Sequence, residues 1–443
     1  MNDLLFYLYI LGIFLVGIGS YKKIRGTKDF YVAGGNAGVL PLTGSLLATI
    51  LGSSAIIGSV NFSTRNGWAG SWFMICAALG LGVLYFLLER LKTFKGYNLP
   101  ELLGSFYGIE VNKIASFVIP IAWTGIVASQ IMGAAMIISK MTSISYTGGI
   151  WLSGLVFIAY TCLGGQFSII KTDFIQFLFI IFGLLICFIY TNLNYDLKEA
   201  LPLINNKFGY KELVVMLLTY STTFFVGPDI YSRIFCAKDI KTSKKAIVLS
   251  IIILLPLAYI LSSLGIYASA LIGDRLVDSS LIFLIEEFLP KSMAVLMYFC
   301  LLSAVISSAD TTLLTASSML TQIFIGDLKN MKSIAITRVF IVFLGIFSIY
   351  IAIKMQFILS SIFLAFSVYS GAFIIPTFLG ILGYRVSKEY IISAIFAGGG
   401  LALFGKIYGG QSGNIYIISA FILNAFILYI PCICKKRKEE TSC

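Results

Sequence analysis

The sequence contains no histidine at all. That one absence removes imidazole proton relays, histidine-ligated metal centres and Ser-His or Cys-His hydrolysis together. Charge is scarce as well: 12% of the residues are Asp, Glu, Lys or Arg, against 58% that are hydrophobic. This is the balance of a polytopic membrane protein rather than a soluble fold, and no polar stretch is long enough to build a soluble domain. Cys76, Cys162, Cys187, Cys236, Cys300, Cys432, Cys434 and Cys443 are mostly scattered singly through apolar runs. They form neither a metal-binding spacing nor a disulfide framework, and Cys432 and Cys434, next to the basic tail, read as small buried residues at a helix end. No paired nucleophile and base, metal cluster or phosphate-cradling loop is visible, so the chain is expected to be no enzyme and to carry no organic cofactor.

What is present is a series of apolar spans. We read thirteen, roughly 4–20, 38–62, 69–89, 114–139, 148–164, 172–192, 213–232, 246–272, 293–325, 334–353, 357–382, 390–405 and 414–433. The expected fold class is therefore all-α integral membrane, a single transport-type domain over 1–443. The first run lacks a basic leader and is followed by Lys22, Lys23 and Arg25, which argues for a retained span rather than a cleaved signal peptide. With the N-terminus outside, the loops place 23 of the 32 Lys and Arg residues inside and nine outside. The positive-inside rule thus selects N-out and C-in, with the tail in the cytoplasm. The net charge of +12 sits in these short loops, where it sets topology rather than a nucleic-acid face.

The ninth span, MAVLMYFCLLSAVISSADTTLLTASSMLTQIFI, packs Ser307, Ser308, Asp310, Thr311 and Thr312 into its middle. A carboxylate near mid-membrane costs several kcal/mol and by default marks a functional site facing a polar cavity. Ser307 and Asp310 are three apart, so their oxygens share a side of the helix. Clustered hard oxygens in a dry place suit Na+ or H+; the plainer reading is that the hydroxyls bond back to their own helix.

Two other spans are interrupted. The second carries Gly44, Gly52 and Gly58 with Ser53 and Ser54 at its centre, and the seventh carries Gly227-Pro228 after a hydroxyl-rich stretch. They lie five spans apart and so cross in opposite directions, the pattern of an inverted-repeat transporter with its site at unwound backbone near the midplane. Asp173 and Asp229 also lie in or near the membrane; Asp229 precedes Arg233 by four residues, so a local ion pair is its expected role. Substrate contacts are expected from Ser53 and Ser54 in span two, Trp123 and Gln130 seven apart in span four, and Tyr220, Thr223 and Phe224 in span seven. Aromatics, hydroxyls and one amide with no Lys or Arg at depth suit a small neutral or zwitterionic solute, and an anion could be held by a half-helix N-terminus.

Taken in sequence, several motifs are specific together: KDFYVAGGNAGVLPLTGSLLAT entering span two; Tyr160-Thr161, Gly164-Gly165, Thr172-Asp173 and Gln176; GPDIYSRIFCAKDIKTSKKA after span seven; and AVISSADTTLLTASSMLTQIFIGDL in span nine. On these the chain resembles the sodium:solute symporter family, which includes bacterial proline and pantothenate carriers and the sodium/glucose transporters. The resemblance implies a leucine-transporter-like five-plus-five inverted repeat with one extra helix before it and two after. The parts are a leading helix and loop (1–37), a first repeat (38–192), a second repeat (211–383), two trailing helices (389–433) and a cytoplasmic tail (434–443).

It further implies a Na+ site between spans two and nine, with backbone carbonyls from Ala48, Leu51 and Ala304 and side-chain oxygens from Ser307 and Ser308. Neutral oxygens of this kind suit a weakly held, releasable Na+. A second cation or proton would be held by Asp173, Asp310 and Thr311 together with Ser307, with Asp310 standing where relatives can have a hydroxyl. Gln166 replaces a usually apolar residue. The expectation is a Na+-coupled symporter in a bacterial inner membrane, importing a small organic solute by alternating access and able to act as a monomer. The alternatives are H+ coupling through Asp173 and Asp310, or a symporter-like sensor, against which the short tail argues.

Overall fold

In lipid every backbone N–H and C=O has to be satisfied within its own segment, so apolar runs of this length become helices. The computed structural model describes residues 2–440 other than 22–23, 92–93, 95, 198, 274, 276, 278, 356–357 and 411–412. Among these residues there is no strand, only two isolated bridges, Ala37 with Ala237 and Asn205 with Phe208. The helices are α1 (Asn2–Tyr21), α2 (Thr27–Val32), α3 (Val39–Ile50), α4 (Ser53–Asn66), α5 (Trp72–Leu91), α6 (Leu99–Tyr107), α7 (Ile109–Met141) and α8 (Tyr146–Asn194). They continue with α9 (Tyr210–Met216), α10 (Thr222–Val226), α11 (Pro228–Ile234), α12 (Ile240–Ile272), α13 (Ser280–Phe288) and α14 (Lys291–Ile325). The last four are α15 (Lys332–Lys354), α16 (Ile358–Leu382), α17 (Lys388–Tyr408) and α18 (Gly413–Glu440).

Nine helical stretches among the described residues are long and apolar enough to cross a membrane. Their outer faces carry large exposed apolar side chains, among them Phe86, Leu193, Ile252, Val339 and Phe396, as lipid contact allows and water does not. One stretch, α8, contains two expected spans. Gly165 inside it has φ 51° and ψ −162°, and the Tyr160 hydroxyl lies 2.7 Å from Thr172 Oγ1. Twelve residues of straight helix would set them about 18 Å apart along the axis, so the chain turns sharply at Gly165. A side chain there would meet the Phe30 carbonyl oxygen at 2.8 Å, which together with the positive φ requires glycine.

Loops expected on the same side of the membrane meet each other. On one side Ala37 N–H donates to the Cys236 carbonyl at 2.9 Å, and Asn98 Nδ2 donates to Gln322 Oε1 at 2.9 Å. On the other, Trp68 N–H donates to the Leu201 carbonyl at 2.9 Å, and Trp72 Nε1 donates to the Leu203 carbonyl at 3.0 Å. Between these two layers α14 packs along both α7 and α8, and α3 lies against α8.

Both interruptions are real. Helix α3 ends at Ile50; Leu51 (φ −86°, ψ 40°) and Gly52 (φ −64°, ψ 173°) leave helical geometry before α4 begins. The expected second span runs on to Asn66, past its expected end at residue 62. The seventh passes from α9 through a π turn (Leu217–Ser221) into α10, and breaks at Gly227 (φ −64°, ψ 133°) before α11.

Candidate functional site

The break after α3 frees the last carbonyls of that helix, which a continuing helix would have paired. Two hydroxyls of α14 reach them. Ser307 Oγ donates to the Ala48 carbonyl at 2.9 Å or to its own Ala304 carbonyl at 3.1 Å. Ser308 Oγ lies 3.0 Å from the Thr49 carbonyl and 3.4 Å from that of Ala48. Four of the five residues expected to hold Na+ are thus brought within hydrogen-bond reach of one another, and Leu51, fully buried at the break, stands next to them. Thr311 and Thr312 bond back to the Ser307 and Ser308 carbonyls at 2.8 and 2.7 Å, as the plainer reading of the hydroxyls expects. The close approach depends on Gly52: a Cβ there would meet Ser308 Oγ at 2.5 Å and Gln130 Nε2 at 3.1 Å.

The polar side chains of α14 do not converge on one partner. Asp310 is buried and faces Thr161, whose hydroxyl lies 3.4 Å from Asp310 Oδ1. Thr311 accepts from the guanidinium of Arg233, which also binds Asp173 with Nη2 2.9 Å from Oδ2. Ser45 donates to the same carboxylate oxygen. Arg233 and Asp173 are 0% and 1% exposed. The expected pairing of Arg233 with Asp229 is therefore incorrect: the long guanidinium reaches across to α8 and α14 instead. The expectation of no Lys or Arg at depth fails with it. Asp173 lies inside α8, eight residues beyond the Gly165 turn.

Next to Asp229 and Ser308 lies a small cavity. Six of the expected substrate residues line it: Ser54, Trp123, Gln130, Tyr220, Thr223 and Phe224. The side chain of Ser53 lies outside the described residues. Ser308 lines the same cavity, so one hydroxyl touches both the α3 carbonyls and the space beside them. Trp123 is held edge-on to Tyr369, ring centroids 4.7 Å apart, and Tyr369 is anchored by donating to the Val226 carbonyl at 2.6 Å, just before the Gly227 break.

The family model of the sodium:solute symporter family matches residues 30–398. The chain belongs to that family. Among curated relatives, the osmoregulated proline transporter OpuE of Bacillus subtilis is 22% identical over 98% of this chain and 95% of its own length. The sodium/proline symporter of Haemophilus influenzae is 23% identical over 54% of this chain and 52% of its own. The chain spans about half the length of the first curated relatives it matches. Among solved structures, a Na+-coupled sialic acid symporter in a substrate-bound outward-open state superposes with TM-score 0.80 at 20% identity, over 97% of this chain and 96% of that one. A closed Mhp1, a nucleobase-cation-symport-1 transporter, superposes with TM-score 0.64 at 12% identity, over 92% and 95%. The fold is that of the leucine-transporter-like carriers.

Sequence reasoning did not place Thr49, Asp229, Thr312 or Phe366 in the cavity wall. Thr312 lies four residues after Ser308 on α14, and that spacing was a usable signal. Phe366 had none, because its place depends on how α16 packs. Asp229 was misassigned by its spacing from Arg233. Its Oδ2 accepts from Trp123 Nε1 at 2.9 Å and from Thr312 Oγ1 at 3.3 Å.

Proposed function

We propose that this chain is a Na+-coupled secondary active symporter that imports a small organic solute by alternating access, with no organic cofactor. One observation carries the reading: Ser307 and Ser308 stand against the carbonyls freed by the α3 break, and Ser308 also lines the cavity. Na+ seated among Ala48, Leu51, Ala304, Ser307 and Ser308 would tie α3 to α14 and favour the state in which the cavity faces outward. An ion shifts that equilibrium only by its differential affinity for the two states, so Na+ and solute must strengthen each other's binding by the same factor. The proline transporters among the relatives support a small solute. We assign the chain to a bacterial inner membrane as a thirteen-span protein, N-terminus outside, with residues 38–192 and 211–383 as inverted repeats, sufficient as a monomer.

For the second cation set, the Arg233 guanidinium already bridges Asp173 and Thr311, which supports one coupling Na+ per cycle. Asp310, buried beside Thr161 with no ion pair among the described residues, favours a second reading in which it carries H+. Uptake into proteoliposomes under imposed gradients separates the two. Na+ coupling expects accumulation driven by inward Na+, with Ser308→Ala raising the half-saturating Na+ concentration at least tenfold. Uptake that ignores Na+ and follows an inward pH gradient would instead assign the coupling to Asp310.

A further inference from the structure

The Asp229 carboxylate lines the cavity and is only half satisfied. Its Oδ2 takes both neutral donors, Trp123 Nε1 and Thr312 Oγ1, while Oδ1 has no hydrogen-bond partner among the described residues. Arg233, one turn along, is committed to Asp173 and Thr311, and no basic side chain lines the cavity. A carboxylate at this depth without countercharge is costly to keep. The start of α11 offers partial compensation for the charge, yet that does not occupy Oδ1. A cation entering the cavity would supply the remaining countercharge. Around the same space stand the rings of Trp123, Tyr220, Phe224 and Phe366, surfaces that attract a cation through their negative faces. An alkali metal ion is attracted by the same groups but has no carbon to cover the apolar rings, whereas the skeleton of a protonated amine does both.

We propose that Asp229 is the group that recognises a protonated amine on the transported solute, and that the solute is therefore an amino-acid-like zwitterion or a small organic amine. The N–H of the ammonium donates to Oδ1, and its charge lies among the aromatic rings. A quaternary ammonium, which has no N–H to donate, should bind less tightly than its protonated counterpart. A sugar, or a carboxylate without nitrogen, leaves Asp229 uncompensated and should bind poorly.

This inference rests on the symporter reading, and the two are tested by separate readouts on one preparation. Thermal stability of the purified full-length protein is measured in Na+ and in K+, then in Na+ with the twenty amino acids, putrescine and choline. Matched compounds without an amine follow: cyclopentanecarboxylate for proline, isovalerate for valine, then glucose and pantothenate. A ligand that binds only the folded state raises stability in a concentration-dependent way. We expect at least one amine-bearing probe to stabilise while its amine-free match does not. Asp229→Asn, which keeps the shape and the Oδ2 acceptor, should weaken that probe about tenfold or more, as loss of a hydrogen bond to a charged group implies. Asp229→Glu should retain part of the binding, which guards against a folding defect in the Asn variant.

The Na+-induced shift should be the same in wild type and Asp229→Asn. The inference is overturned if no amine-bearing probe stabilises, if the amine-free matches do so equally, or if Asp229→Asn binds the amine as well as wild type does. It is also overturned if Asp229→Asn moves the Na+ response instead, which would make the carboxylate an ion ligand. A protein that binds amines but ignores Na+ would leave this inference standing and sink Na+ coupling alone.

Discussion

Asp173 and Asp229 both sit deep in this molecule, and the chain treats them differently. Asp173 on α8 has its countercharge built in: Arg233 lies 2.9 Å away, with Ser45 on the same oxygen. Asp229 on α11 is held by two neutral donors and has an oxygen left over at a cavity. The first arrangement is closed and ties α8, α11 and α14 together. The second is open and waits on a ligand. Sequence spacing alone assigns Arg233 to Asp229, four residues before it, because (i, i+4) pairs face each other on a helix. The structure teaches that such a pair is worth a few tenths of a kcal/mol and yields to a tertiary partner that would otherwise be a buried unpaired charge.

The largest effect expected from that difference comes from Arg233→Met. Removing one partner of a buried ion pair leaves the other charge uncompensated, at about 3–5 kcal/mol. Most of the folded protein should be lost, read as recovery of monodisperse material and as midpoint of thermal unfolding. Adding Asp173→Asn should restore much of it, since the orphaned charge is then gone. Asp229→Asn without solute should move the midpoint far less, because both of its donors keep an acceptor. Equal losses from Arg233→Met and Asp229→Asn would break the comparison.

A smaller effect is expected at Trp123→Phe. The ring against Tyr369 is kept, and the N–H that holds Asp229 Oδ2 at 2.9 Å is lost. A hydrogen bond to a charged group is worth about 1.5–3 kcal/mol, so the half-saturating solute concentration for uptake should rise at least tenfold. The Na+ response of the solute-free protein should stay within about twofold, because no Na+-site hydroxyl is touched; twofold corresponds to about 0.4 kcal/mol. A variant whose Na+ response moves as far as its solute affinity would place Asp229 on the ion's side of the site. Gly52→Ala should do the reverse. The added carbon presses on Ser308 Oγ at 2.5 Å, so Na+ half-saturation should shift about tenfold, the factor that 1.4 kcal/mol makes, while the Asp173 pair is untouched.

How far the sequence could be read depended on whether a residue's partner is fixed by its own helix or by another. The break at Leu51-Gly52 and the one at Gly227-Pro228 were legible because glycine and proline act locally. Their opposite crossing directions then gave the inverted arrangement. Ser307 and Ser308 stand out from chemistry, polar oxygens in a dry span, and from family resemblance, and they meet the carbonyls freed at the α3 break. Arg233 does not stand out. Its side chain is long enough to choose among three helices, and nothing in GPDIYSR says which one it meets. Nor does the spacing of Ser307 and Asp310 name their partners, the Ala48 carbonyl for one and Thr161 for the other, because α14 is surrounded by several helices.

A third carboxylate, outside the membrane spans, sharpens the comparison through a titration. Glu101 in α6 accepts from the Tyr97 N–H at 2.6 Å, next to the Asn98 side chain that ties this loop to Gln322 at the end of α14. Burial pushes its carboxyl up to about 7 from 4.5; the Tyr97 N–H pulls it down, Asp327 pushes it further up and Lys329 opposes that. Among the described residues it has no ion pair, unlike Asp173, and it is not in the lining of the cavity that Asp229 faces. Between pH 4.5 and 7 the unfolded chain has released this proton and the folded chain still holds it, so the folded state binds more protons. Stability then falls as pH rises through that window and levels off above it. The midpoint of thermal unfolding should therefore drop from pH 5 to pH 7.5 in wild type. In Glu101→Gln, which keeps an acceptor for Tyr97 but cannot ionise, the drop should be shallower. Parallel slopes in the two proteins would mean that the loop relaxes to hydrate the carboxylate, and that a neutral backbone donor is enough to bury a charge at this surface.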